Sequence, residues 1–182
     1  MKHWFVLSGG PATGKTTMLT MLAKRGYAVV SETARAHIEA ELAHGRSLER
    51  IQSDPRAFQT EVLCRQEDAE RAAPPGVVIF DRGIPDIRAY YRFHGIPEDP
   101  ALTEAIHHAS YERVFLLDPL PMTTDHARVE SRAEQLEICH LIHEVYDELP
   151  FPTTHIPVLP MEERCALIQS FLPPPTHAED IL

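Results

Sequence analysis

Short, continuous apolar runs recur along this chain, and between them lie longer stretches in which apolar residues return every three or four positions. Runs without polar alternation suit strands buried on both faces, and the three-to-four return suits helices with one apolar stripe. Strands are predicted over residues 3–8, 27–31, 77–81, 113–118 and 154–159. Met18, Leu19, Leu22 and Ala23 mark the first helix. Leu136, Cys139, Ile142, Tyr146 and Leu149 form the stripe of a long later helix, leaving Glu134, Glu137, Glu144, Asp147 and Glu148 to face water. The predicted class is α/β, a parallel sheet covered by helices on both faces.

Pro157 falls inside the last strand run and cannot donate a ladder hydrogen bond, which assigns that strand to a sheet edge. Pro160 opens a final helix carrying Met161, Cys165, Ile168 and Leu172. The prolines at 173–175 stop it and leave residues 173–182 as an expected loose tail. With no internal repeat and no linker, residues 1–172 read as one domain.

Charge narrows the partners. Lys plus Arg number 17 against 27 Asp plus Glu, a net −10, which opposes broad contact with a nucleic-acid backbone or an anionic membrane. An anionic ligand must therefore be caught locally. Cys64, Cys139 and Cys165 are widely spaced and form no CxxC pair, so neither a disulfide framework nor a zinc ribbon is indicated, and a reducing cytoplasm is the expected compartment. The run Trp4-Phe5-Val6-Leu7 is shorter than a signal-peptide core and leads straight into a glycine turn. No run approaches the roughly 20 apolar residues a bilayer span needs. The sequence is silent on oligomeric state.

That glycine turn carries the strongest chemistry. Gly9-Gly10-Pro11-Ala12-Thr13-Gly14-Lys15-Thr16 satisfies the GxxxxGK[ST] pattern, with an apolar strand before it and a helical segment after it. Glycines allow a tight turn whose successive N–H groups point at phosphate oxygens, and the following helix adds its positive end. In this reading Lys15 reaches the β- and γ-phosphates, Thr16 ligates Mg²⁺ and Thr17 holds the α-phosphate. A lysine at a helix start with no anion beside it would be unfavourable.

Val77-Val78-Ile79-Phe80 ends in Asp81, placed as a second carboxylate for Mg²⁺ or its waters. Motor NTPases usually follow this acid with a glutamate that orients water; here Arg82 and Gly83 follow, which favours phosphoryl transfer over hydrolysis. No Asn-Lys-x-Asp motif is present, so nothing in the sequence selects GTP; ATP with Mg²⁺ is the expected ligand, the preference between ATP and GTP being left open.

Glu32 and Arg35 close the second strand run, where ligands gather in open α/β sheets. Glu32 is a candidate base for an acceptor hydroxyl, or else an acid at a helix start with Arg35 as its surface partner. Residues 119–129 are polar and proline-rich and lead into the long helix; residues 119–132 are a lid candidate whose Arg128 and Arg132 either neutralise transferring charge or are solvated helix arginines. Arg88, Tyr90 and Arg92 mix charge with aromatic surface, suited to a flat anionic substrate or, for the ring, to core packing. Among eleven histidines, Cys139-His140-x-x-His143 and His107-His108 lack a clear fourth ligand, and Cys139 reads as part of the apolar stripe.

Together, GGPATGKTT, VVSETAR, IFDRGIPD and the DELPF turn resemble the AAA-type domain family related to the nicotinamide riboside kinase domain, among the P-loop nucleoside and nucleotide kinases. The resemblance spans residues 2–172 and implies a three-layer fold with a five-stranded sheet in order 2-3-1-4-5. In the related deoxyribonucleoside kinases a Glu-Pro-Val-Ala-Arg segment supplies the base, and Glu32-Thr33-Ala34-Arg35 is similar but lacks the proline and one residue. Asp81-Arg82-Gly83 stands where those enzymes have Glu-Arg-Ser. The implied activity is transfer of a phosphoryl group from ATP·Mg to a nucleoside, nucleotide or similar metabolite; the alternative is a nucleotide-binding regulatory NTPase.

Overall fold

A computed structural model describes residues 2–121 and 132–175. Its five strands are β1 (Lys2–Ser8), β2 (Ala28–Val30), β3 (Gly76–Asp81), β4 (Arg113–Leu117) and β5 (Thr153–Ile156). All pair in parallel, in the order β2-β3-β1-β4-β5. Parallel neighbours require crossovers, and helices supply them. Helix α1 (Lys15–Lys24) joins β1 to β2; α2 (Thr33–Ala43), α3 (Leu48–Gln52) and α4 (Pro55–Ala72) lie between β2 and β3. Then α5 (Ile84–Phe93) and α6 (Pro100–His108) precede β4, α7 (Arg132–Asp147) precedes β5, and α8 (Met161–Gln169) follows it.

The two-residue period of a strand sorts β1 between two cores. Phe5 and Leu7 pack with Met18, Leu22, Ile79, Phe115 and Ile168 on the face covered by α1 and α8. Trp4 and Val6 pack with Val78, Phe80, Leu116, Ile142 and Tyr146 on the face covered by α5 and α7. A third cluster joins Val62 and Leu63 of α4 to Ile87 and Tyr91 of α5 and Leu102 of α6. Each such side chain contributes about 1.5–3 kcal/mol when fully buried. Helix α2 has no buried residue, so α4 is what anchors this arm to the sheet.

Three expectations shift. Strand β5 is an edge strand, but it ends at Ile156, so Pro157 lies just past it rather than within it. Leu136 is 44% exposed; at that end of α7 the inward position belongs to Gln135, and Ile138 and Val145 complete the stripe. Ala23 is exposed, and the buried stripe of α1 consists of Lys15, Met18, Leu19 and Leu22. Of the expected tail, Pro175 lies against Gly26, whose Cβ position is 3.4 Å from its ring, and residues 176–182 fall outside the described residues.

Candidate active site

The turn from Gly9 to Thr16 leaves the carboxyl end of central strand β1 and enters α1. Gly9 has φ 138°, and a Cβ there would sit 2.7 Å from the Leu117 carbonyl oxygen. Gly10 is closed on its other side: a Cβ would stand 2.8 Å from the Cβ of Cys139 on α7. Both positions need glycine because neighbouring chain already fills the space. Ala12 adopts φ 62°, an uncommon conformation for a residue with a side chain.

Lys15 is buried and curls back over the turn, donating to Gly9 O and Gly10 O at 2.8 Å and to Thr13 Oγ1 at 3.3 Å. Burial first and the charge of Arg82 second lower its pKa from 10.5 to about 8, so it carries a proton at neutral pH. Thr16 and Thr17 are exposed at the first turn of α1. On the far side of the turn, wholly buried Arg164 of α8 donates to Thr13 O at 2.8 Å, Asp118 O at 3.0 Å and Ile156 O at 2.9 Å. One guanidinium thus ties the phosphate-loop pattern to the ends of β4 and β5. The sequence reading missed Arg164, which looks like an exposed helix arginine until its three acceptors are known.

Asp81 ends β3 in register with Leu7. Its Oδ1 is buried without a hydrogen-bond partner among the described residues. Burial, then the charge of Glu32, raise this carboxyl from 3.8 to about 6. A buried carboxylate oxygen without a hydrogen-bond partner suits a hard divalent cation that takes oxygen donors and keeps several waters.

Arg82 turns sharply at φ 71° and is buried. Its Nε donates to Glu32 Oε1 at 2.7 Å, and its Nη1 to Asp86 Oδ1 at 3.0 Å and Gly9 O at 3.2 Å. Its guanidinium carbon lies 5.4 Å from the Tyr90 ring centroid. Burial alone would raise the Glu32 carboxyl; Arg82 and Lys15 outweigh it and hold Glu32 below its ordinary value. Asp86, also missed, is the acceptor at the centre: it takes Ser8 Oγ at 2.5 Å, Gly83 N at 2.9 Å and Tyr146 OH at 2.7 Å besides Arg82. Its only sequence signal was an acid in the first turn of a helix.

A cavity of about 590 Å³ opens beside Lys15, between the arm α2–α4 and α5. Glu32, Arg35, Gln59, Arg82 and Tyr90 line it. Arg88 and Arg92 do not: Arg88 pairs with Glu98 at 2.6 Å, and Arg92 grips both oxygens of Glu148 at 2.8 and 2.6 Å. On α5 they sit on turns that face these acids, so the predicted aromatic–arginine wall reduces to Tyr90 and Arg82. Arg132 is exposed at the start of α7, while Arg128 and most of the lid candidate lie outside the described residues.

A family model for an AAA domain matches residues 4–164. The chain belongs to the AAA domain family. This AAA domain is similar in structure to the NadR protein in complex with NR, with TM-score 0.69 and 17% identity over 93% of this chain. It is likewise similar to NadR in complex with NAD and AMP-PNP, at TM-score 0.66 and 20% identity. It covers 49% of each NadR chain, about half their length. Thymidylate kinase from Ehrlichia chaffeensis matches with TM-score 0.68 and 11% identity over 93% of this AAA domain and 97% of that chain. At such identities the likeness establishes the fold, that of the P-loop nucleotide kinases, with the sheet order 2-3-1-4-5. No curated protein matches the sequence.

Proposed function

We propose that this AAA domain transfers the γ-phosphoryl group of ATP to a small metabolite, a nucleoside or nucleotide, seated in the cavity between the α2–α4 arm and α5. The observation that carries the reading is the cavity itself: about 590 Å³ of space opens directly onto Lys15 and is lined by both Glu32 and Arg82. A protein that only bound or hydrolysed a nucleotide has no need of a metabolite-sized chamber there.

In this reading the backbone of Gly9–Thr16 and the ammonium of Lys15 hold the polyphosphate, with Lys15 leaving the carbonyls of Gly9 and Gly10 for phosphate oxygens. Thr16 and Asp81 would hold Mg²⁺, which supplies charge neutralisation between phosphates when bound. Arg82 adds positive charge at the junction of loop and cavity and fixes the Glu32 carboxylate at 2.7 Å. Glu32, kept ionised, accepts the proton of the acceptor hydroxyl, a modest contribution beside positioning and charge. Arg35 and Tyr90 contact the acceptor, and Arg132, at the start of α7, approaches the nucleotide.

The likeness to NadR and to a thymidylate kinase supports a nucleoside or nucleotide as acceptor. ADP formation measured against a panel of nucleosides and nucleoside monophosphates tests this. One or a few members should stimulate turnover strongly; a flat panel accompanied by tight ATP binding would favour a regulatory nucleotide switch instead.

A further inference from the structure

Away from Asp81 and Thr16, a second set of donors converges behind the phosphate-loop turn. Asp118 follows β4, His143 lies on α7 and His155 on edge strand β5, and each offers a ligand atom within 4.8 Å of the others. The two imidazoles meet edge to face, with centroids 5.0 Å apart and planes at 79°. His143 Nε2 also lies 3.9 Å from the Sγ of Cys139, one helical turn towards the start of α7. Asp118 and His143 are half-buried, and His155 is exposed, so an ion can enter from solvent.

We propose that Asp118, His143 and His155 form a binding site for a zinc-class divalent cation. Two imidazoles and a carboxylate suit a borderline metal such as Zn²⁺ rather than Mg²⁺, which takes oxygen donors. A tetrahedral centre with bonds of about 2.0–2.2 Å holds its donors roughly 3.3–3.6 Å apart, within reach of the present cluster by about an ångström of side-chain rotation. The fourth position is left to water. Sequence spacing could not reveal the site, because its ligands come from three separate parts of the chain and, of the helical cluster Cys139, His140 and His143, it uses only His143. His140 is exposed and lies 3.4 Å from Glu144 instead.

Such an ion would clip α7 to β4 and β5. The same helix abuts the phosphate-loop turn, where the Cys139 Cβ stands 2.8 Å from the Cβ position of Gly10. The cation would therefore fix the wall against which Gly10 rests.

The test is calorimetric titration of the metal-free full chain with Zn²⁺ in excess Mg²⁺, together with the visible absorption of Co²⁺ as a geometric probe. The expected result is one equivalent bound, four-coordinate cobalt bands, and a higher melting temperature with Zn²⁺. His155→Ala, at an exposed position, and His143→Ala should each weaken binding at least about tenfold, while His140→Ala leaves it unchanged. Melting of the metal-free variants verifies that they fold, and His155→Ala decides the matter if His143→Ala does not. Absence of saturable binding, or equal affinity in wild type and His155→Ala, would overturn the proposal.

Discussion

Arg82 Nε donates to Glu32 Oε1 at 2.7 Å, joining the end of β3 to the start of α2 across the mouth of the cavity. The pair is mostly shielded, with side-chain exposures of 11% and 22%. Removing one partner leaves the other charge partly desolvated, and Arg82 also serves Asp86 and Gly9. Arg82→Ala should therefore cost about 3 kcal/mol, the low end for breaking a buried pair, or roughly 6–12 °C in melting temperature for a chain of this size. It should reduce phosphoryl transfer far more than ADP binding. Equal losses in the two, measured by steady-state kinetics and calorimetry, would contradict its place on the acceptor side.

Glu32→Gln keeps the shape and removes the charge. If Glu32 accepts the acceptor proton, kcat should fall by about 10²-fold with ATP affinity little changed. A kcat within a factor of two or three of wild type would reassign Glu32 to a purely positioning role, holding Arg82.

Asp86, on α5, collects four donors from β1, α7 and the turn between β3 and α5. Asp86→Ala leaves Ser8, Tyr146, Gly83 N and Arg82 without that acceptor in the core. A loss of about 3–5 kcal/mol is expected, read by denaturant unfolding. A loss below 1 kcal/mol would show that solvent replaces these bonds.

Asp81 gives the site a pH dependence whose sign follows from its raised carboxyl, from 3.8 to about 6. Between those values the folded state binds the extra proton, so the group's contribution to ligand-free stability falls as pH rises from about 4 to 6 and stays low above that. Cation binding runs the other way, because only the ionised carboxylate ligates Mg²⁺. Across this window Lys15 remains protonated, Arg82 remains charged, and Glu32 is held ionised above its lowered value. Affinity for Mg·ATP should weaken about tenfold between pH 7.5 and 5, and Asp81→Asn should remove most of that slope. An unchanged slope in the variant would place the titrating group elsewhere.

The sheet and the phosphate-loop turn were legible because their signals are local. Apolar runs such as Val77–Phe80 have no use except between two helix layers, and a lysine at a helix start implies an anion. Pro157 pointed to the edge strand even though the strand stops one residue before it. Asp86 and Arg164 were not legible, since their importance lies in partners 60 to 151 residues away, such as Tyr146 and Thr13. Arg88 and Arg92 misled for the same reason in reverse: Glu98 and Glu148, not a ligand, claim them. The cavity depends on the arm α2–α4, whose outermost helix α2 has no buried residue and hence a weak apolar signature.

The fate of the terminal phosphate tests the central claim most directly. With γ-labelled ATP, Mg²⁺ and the stimulating acceptor, the label should appear on the acceptor in proportion to ADP formed, and Lys15→Ala should abolish the transfer. Label recovered only as inorganic phosphate, with the acceptor unmodified, would contradict the account.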